Sequence, residues 1–143
     1  MEEQFLRTAM LLGENGVRRL QNARVAVFGL GGVGGYVVEA LCRAGIGALD
    51  LIDKDDVSLS NLNRQILATH ATVGMLKTQA AARRIAEINP RCVVREYPVF
   101  YLPEYKKTMA ELSFAEQVNC NQRTKAIKKM AKMLKEKQKG NLK

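Results

Sequence analysis

Residues 24–53, RVAVFGLGGVGGYVVEALCRAGIGALDLID, decide the fold. Residues 24–28 (RVAVF) form a short apolar, β-rich run that ends at glycine, as a buried strand does. Residues 29–35 form a glycine loop. From Val33 to about Ala44 the pattern turns helical, with Val37, Val38, Ala40, Leu41 and Ala44 making an inward stripe that Gly45 and Gly47 close. Residues 48–52 (ALDLI) read as a second strand ending at Asp53. Strand, glycine turn, helix and strand in about thirty residues make one βαβ unit.

Working outward, residues 5–21 place Phe5, Met10, Leu11, Val17 and Leu20 at helical spacing, and Gly13 and Gly16 split the pattern into two short helical pieces. After Asp53 comes a polar loop, then a predicted short helix over 61–67 and a longer one over 74–88. In the longer helix Leu76, Ala80, Ala81, Ile85 and Ile88 recur at helical spacing, and Pro90 stops it. Residues 92–97 read as a third strand, which Pro98 keeps from running on as a fully paired central one. Beyond Pro103 the composition changes. Residues 105–118 and 123–138 look helical, with Ile127, Met130, Ala131, Met133 and Leu134 forming a narrow apolar stripe on a Lys-rich body. The expected fold is α/β: an incomplete Rossmann-like parallel sheet of about three strands with flanking helices over 1–103, plus a basic helical tail over 104–143.

The chain's 143 residues suit one core and exclude a large multidomain enzyme. No apolar run nears the ~20 residues that span a bilayer, and the opening Met1-Glu2-Glu3 is unlike a signal peptide. Three cysteines with no CxxC spacing argue against a disulfide framework or zinc ribbon, so a cytoplasmic location is the expectation. Residues 1–103 hold 12 Lys/Arg against 10 Asp/Glu; residues 104–143 hold 11 against 4. The basicity therefore belongs to the tail.

The glycine loop carries the first chemistry. Gly29-Leu30-Gly31-Gly32-Val33-Gly34-Gly35 fits G-x-G-x-x-G directly after a strand and at the opening of a helix. Gly29 permits the sharp turn, Gly31 lets a phosphate approach the backbone, and Gly34 lets the helix lie close to the strand. The helix N-terminus offers unpaired N–H groups and a partial positive charge to an anion. Asp53, after the second strand, sits where an acid binds ribose hydroxyls. Two cations then separate nucleotide types. Arg64 lies on the short helix predicted over 61–67 and Lys77 near the start of the next helix. A pyrophosphate is held largely by backbone, whereas a triphosphate needs more positive charge, so these residues suit ATP better than NAD. The alternative is that both are ordinary solvated surface cations.

With those residues in place, GLGGVGG, LIDKDDVSLSNLNRQ, VGMLK and INP resemble, in order and spacing, the ThiF/MoeB-type adenylylating family related to ubiquitin activators. The resemblance covers about residues 4–103. QFLRTAMLLGENG and GIGALDLIDKDDV are most similar to its tRNA threonylcarbamoyladenosine dehydratase branch. The resemblance implies ATP with Mg²⁺ as cofactors and attack of a substrate carboxylate on the α-phosphorus. In that branch the activated carboxyl of a tRNA modification closes on its adjacent carbamoyl group. By matched position, Gly29, Gly31, Gly32 and Gly34 would line the phosphates and Asp53 would hold the ribose. Asn61, Arg64 and Lys77 would contact the phosphate chain. Arg7 matches an arginine that reaches into the neighbouring subunit's site, like an arginine finger, which implies a homodimer.

The family continues with a fourth strand ending in a Mg²⁺-binding aspartate, but no Asp follows Asp56 here. The expectation is therefore a truncated chain with residues 24–28 as an exposed apolar edge, weak ATP binding and little turnover alone. No metal-ligand set is assigned. The tail reads as a basic arm for tRNA phosphates, a cover for the sheet edge, or a non-homologous end; DNA and membranes are not expected partners. A non-catalytic nucleotide- or tRNA-binding module is the alternative function, and an NAD-dependent oxidoreductase is disfavoured by Arg64 and Lys77. His70 reads as a solvated histidine, Cys42 and Cys92 as small core residues, and Cys120 as exposed.

Overall fold

The computed structural model describes residues 2–99, so the expectations for the tail and for Cys120 lie outside the described residues. A short 3-10 turn, Glu3–Phe5, leads into α1 (Leu6–Asn22). Gly13 breaks α1 with φ 70° and ψ 164°, so the two helical pieces read from the sequence meet at a kink. Then follow β1 (Arg24–Phe28), α2 (Gly32–Ala44), β2 (Ala48–Ile52), α3 (Lys77–Ile88) and β3 (Val93–Tyr97). The three strands are parallel in the order β1-β2-β3, with Val25 opposite Leu49 and Leu49 opposite Val94.

Alternation along the strands decides which face takes the helices. Val25, Val27, Leu49, Leu51 and Val94 share one face and pack against Val38 and Cys42 of α2 and Ala81 and Ile85 of α3. Two βαβ crossovers that step the same way along a sheet, both right-handed, place both helices on one side. The other face carries a charge: Asp50 is 1% exposed and takes a bidentate pair of hydrogen bonds from Arg24, at 2.8 and 3.0 Å. A second network ties the helices together, as Glu39 of α2 accepts from Arg84 of α3 at 2.9 and 3.0 Å and from Arg43 at 2.8 Å.

Three local expectations need correction. Residues 61–67 do not form a helix. A 3-10 turn, Leu59–Asn61, is followed by hydrogen-bonded turns, because the Asn61 side chain accepts the Ser58 N–H at 3.0 Å and stabilises a turn instead. The helix expected from Gly74 begins at Lys77. Gly74 has φ 87°, and residues 74–76 pair instead with 56–57 through Val57 N–H to Met75 O, Gly74 N–H to Val57 O and an antiparallel Asp56–Leu76 bridge. Only Gly45, with φ 97°, caps α2. Gly47 serves a close approach: a methyl there would lie 1.7 Å from the Gln21 carbonyl oxygen.

Candidate nucleotide site at the strand ends

The glycine loop leaves β1 at the carboxyl end of the sheet. The Gly29 N–H donates to Ile52 O at 2.8 Å, extending the β1–β2 ladder by one residue, and its φ of 83° then turns the chain. Gly34 lies so close to that turn that a methyl on it would sit 1.7 Å from Gly29 O. The helix-on-strand role expected of Gly34 is thus a contact between main chains. Gly31 and Gly32 face a different neighbour. Methyls there would lie 3.9 Å from Gln65 Nε2 and from Arg64 O, so the segment around 64–65 runs along the loop.

Asp53 ties the loop to the next segment. One carboxylate oxygen accepts the Leu30 N–H at 2.6 Å and the other accepts the Asp55 N–H at 2.8 Å. Each oxygen keeps a second lone pair, so this fixed orientation is compatible with a ribose hydroxyl. Asp55 in turn holds Lys77. Its carbonyl accepts the Lys77 N–H at 2.9 Å, and its carboxylate accepts Lys77 Nζ at 3.1 Å. The Lys77 side chain is only 8% exposed, against 53% for Asp55. Lys77 is therefore not a solvated surface cation, which removes that alternative for it. Leu30, Asp53, Asp55 and Lys77 form one continuous hydrogen-bonded path from the glycine loop to the first residue of α3.

The remaining expected residues are placed less directly. Asn61 is buried, and its side-chain oxygen is spent on the Ser58 N–H while its carbonyl accepts the N–H groups of Arg64 and Gln65. It shapes the segment that faces Gly31 and Gly32. The exposed Arg64 folds its guanidinium onto its own turn, donating to Ser60 O at 3.0 Å and to Asn63 Oδ1 at 2.9 Å. Arg7 is exposed on the first turn of α1. Phe5, two residues earlier, lies beside Gly45 at the amino end of β2, where a Gly45 methyl would be 3.1 Å from its ring. Five-residue strands put that end about 16 Å from the glycine loop. Within one chain Arg7 is thus not brought to the loop. Sequence reasoning gave no role to Asp55 or Gln65. Their signal lay in DKDD after β2 and in NLNRQ, but both depend on contacts between separate segments.

Among the described residues no group of three or more His, Cys, Asp or Glu side chains could hold a metal ion. Asp53 is engaged by two backbone N–H groups and Asp55 by Lys77. Both carboxylates of the path are thus engaged within the chain. The described residues also contain no helix long and apolar enough to cross a membrane. His70 is exposed. Cys42 and Cys92 are buried and unpaired with each other. Burial pushes the Cys42 thiol up to about 11, and burial raises that of Cys92 as well, so neither is a poised nucleophile. A separate cavity of about 700 Å³, lined by Phe5, Gly45, Ile46, Asn89 and Arg91 among others, lies at the opposite end of the sheet.

Known proteins resemble this chain in sequence and in fold. The sequence profile of the ThiF family matches residues 5–134, past the boundary near 103 where the resemblance was expected to end. The chain is 46% identical over 104 residues to the tRNA threonylcarbamoyladenosine dehydratase of Bacillus subtilis, covering 73% of this chain and 41% of that protein. It is 45% identical over 102 residues to the Escherichia coli enzyme of the same name, covering 71% and 38%. The crystal structure of the E. coli enzyme, TcdA, in complex with ATP superposes with a TM-score of 0.72 at 42% identity, over 76% of this chain and 45% of that one. The chain thus spans about two fifths of the length of the curated relatives it matches.

Proposed function

The chain belongs to the ThiF family, and from that premise we propose that it binds ATP at the glycine loop and contributes to ATP-dependent adenylylation of a carboxylate. The observation that supports this most is the hydrogen-bonded path from Leu30 through Asp53 and Asp55 to Lys77. It joins a backbone that an anion can approach, an acid suited to ribose and a buried cation. The amino end of α2 adds its partial positive charge at the same place. Gly31 and Gly32 have no Cβ to keep a phosphate away, and Lys77 supplies a donor for the charge that builds as pyrophosphate departs. In the reaction a carboxylate oxygen attacks the α-phosphorus, the bond from that phosphorus to the α,β-bridging oxygen breaks, and pyrophosphate leaves with the electron pair. An acyl-adenylate remains. The names of the relatives above support, as the substrate, the carboxylate of a threonylcarbamoyl group on tRNA, which closes on its own carbamoyl group and expels AMP.

The expected partner is a second copy of the chain. Leu6, Met10, Leu11 and Leu12 of α1 are 49–87% exposed, and Val33, Tyr36 and Val37 of α2 are 40–80% exposed. That much exposed apolar surface on two helices suits an interface. A partner's Arg7 reaching the loop in trans would also reconcile its position here with an arginine-finger role. A tRNA partner would make binding fall steeply with salt.

Isothermal titration with ATP and with NAD tests the reading. ATP should bind with micromolar or weaker affinity, NAD should not compete, and Lys77→Met should weaken ATP about tenfold or more, the scale of one charged hydrogen bond. Equal binding of NAD, or no effect of Lys77→Met, would overturn it.

A further inference from the structure

Asp55 has no role in the reading above beyond lying on the path to Lys77, yet the geometry gives it one. We propose that Asp55 is a positioning residue for phosphate binding: its carboxylate holds the Lys77 ammonium at the glycine-loop end of the sheet. This rests on the proposal that the loop binds ATP.

Three observations carry the inference. First, burial is unequal: Lys77 is 8% exposed and Asp55 is 53% exposed. A buried ammonium without an anion is costly, so the partner carboxylate decides where it lies. Lysine has a flexible four-carbon stem and cannot fix its own charge by shape, as arginine does. Second, Asp55 is itself held at both main-chain ends. Its N–H donates to Asp53 Oδ1 at 2.8 Å and its carbonyl accepts the Lys77 N–H at 2.9 Å. The same aspartate Asp53 accepts the Leu30 N–H of the glycine loop. The carboxylate that holds Lys77 is therefore referenced to the phosphate cradle and not to a loose loop. Third, the ammonium has three N–H donors, and Asp55 takes one at 3.1 Å. Among the described residues it has no second partner, so donors remain for a phosphate oxygen.

The main-chain bonds of Asp55 survive a side-chain change, so Asp55→Asn isolates the ion pair from the fold of the loop. The test is a double-mutant cycle read by calorimetric ATP titration of the full chain: wild type, Asp55→Asn, Lys77→Met and both together, with Asp55→Glu as the conservative variant. Asp55→Asn should weaken ATP about fivefold in the wild-type background and by less than about 1.5-fold in the Lys77→Met background. Asp55→Glu should recover most of the loss. An equal loss in both backgrounds would mean a structural effect of the loop and would overturn the inference. Tighter ATP binding by Asp55→Asn would make Asp55 a competitor of the phosphate, and would overturn it too. If the wild-type chain binds no ATP, the ATP reading itself fails and takes the inference with it. That result is distinct from wild-type binding that Asp55→Asn leaves unchanged, which refutes the inference alone.

Discussion

Alanine at Gly34 would put a methyl carbon 1.7 Å from the Gly29 carbonyl oxygen and 2.8 Å from its carbonyl carbon. Ordinary contact between such atoms begins at about 3.5 Å, so the two chains must separate by roughly 1.8 Å. The obstacle is main chain, not a side chain that can rotate. The Gly29 N–H is bonded to Ile52 O, so pushing the turn away breaks the end of the β1–β2 ladder. Pushing α2 away opens the contact of Val38 and Cys42 with Val27, Leu49 and Leu51. Overpacking costs about 1–3 kcal/mol and sometimes more, while the helix propensity gained on replacing glycine is at most about 1 kcal/mol. The net loss should be about 1–2 kcal/mol, or roughly 4–16 °C in Tm for a unit of this size. Thermal and urea unfolding followed by circular dichroism measure it. Gly31→Ala is the control, since its methyl would lie 3.9 Å from Gln65 Nε2. It should leave stability within about 0.5 kcal/mol of wild type. A Gly34→Ala protein that melts within about 2 °C of wild type, or a Gly31→Ala protein equally destabilised, would refute the close-approach reasoning.

Asp50→Ala should cost about 3 kcal/mol by urea unfolding, because it strips a buried guanidinium of its bidentate partner; a loss under about 1 kcal/mol would show that Arg24 finds another arrangement. The hydrogen bond from Arg84, aided by Arg43, holds the Glu39 carboxyl below its ordinary 4.5 against the opposing effect of burial. A lowered folded-state value means the stabilisation is present above the unfolded value and is lost as pH falls through the folded one. Glu39→Gln should thus be less stable by roughly 1–2 kcal/mol at pH 7, with the difference shrinking below about pH 4.5; a pH-independent difference would contradict this. Finally, a Cys42 thiol at about 11 is about 0.1% thiolate at pH 8. Iodoacetamide should leave Cys42 unmodified in the folded protein and modify it after unfolding, as read by peptide mass spectrometry; labelling in the folded state would contradict its burial.

The parts of the fold that were legible in the sequence are those set by local pattern. The runs RVAVF and ALDLI each end at a residue that stops a strand, and both strands appear with those bounds. The helix between them starts at Gly32, one residue before the expected Val33. What was not legible depends on pairing between separate segments. Nothing local in GMLK says that Met75 and Leu76 pair with residues 56–57, so the expected helix began three residues early. The same pairing buries Lys77 against Asp55, which no spacing rule for a basic residue could tell from a surface lysine. A short helix is expected over 61–67, but Asn61 uses its side chain to close a turn. In the sequence Asp53 stands out only for the charge it offers a ligand. Its bonds to Leu30 and Asp55 became visible only once the glycine loop and the end of β2 were side by side.

Amide chemical-shift mapping of the ¹⁵N-labelled chain titrated with ATP tests most directly whether one site at the carboxyl ends of the strands binds the nucleotide. The largest shifts should fall on Leu30, Gly31 and Gly32, on Asp53 and Asp55, on Gln65 and on Lys77, and should saturate together. Shifts gathered instead on Phe5, Gly45, Ile46, Asn89 and Arg91, which line the cavity at the other end of the sheet, would contradict it.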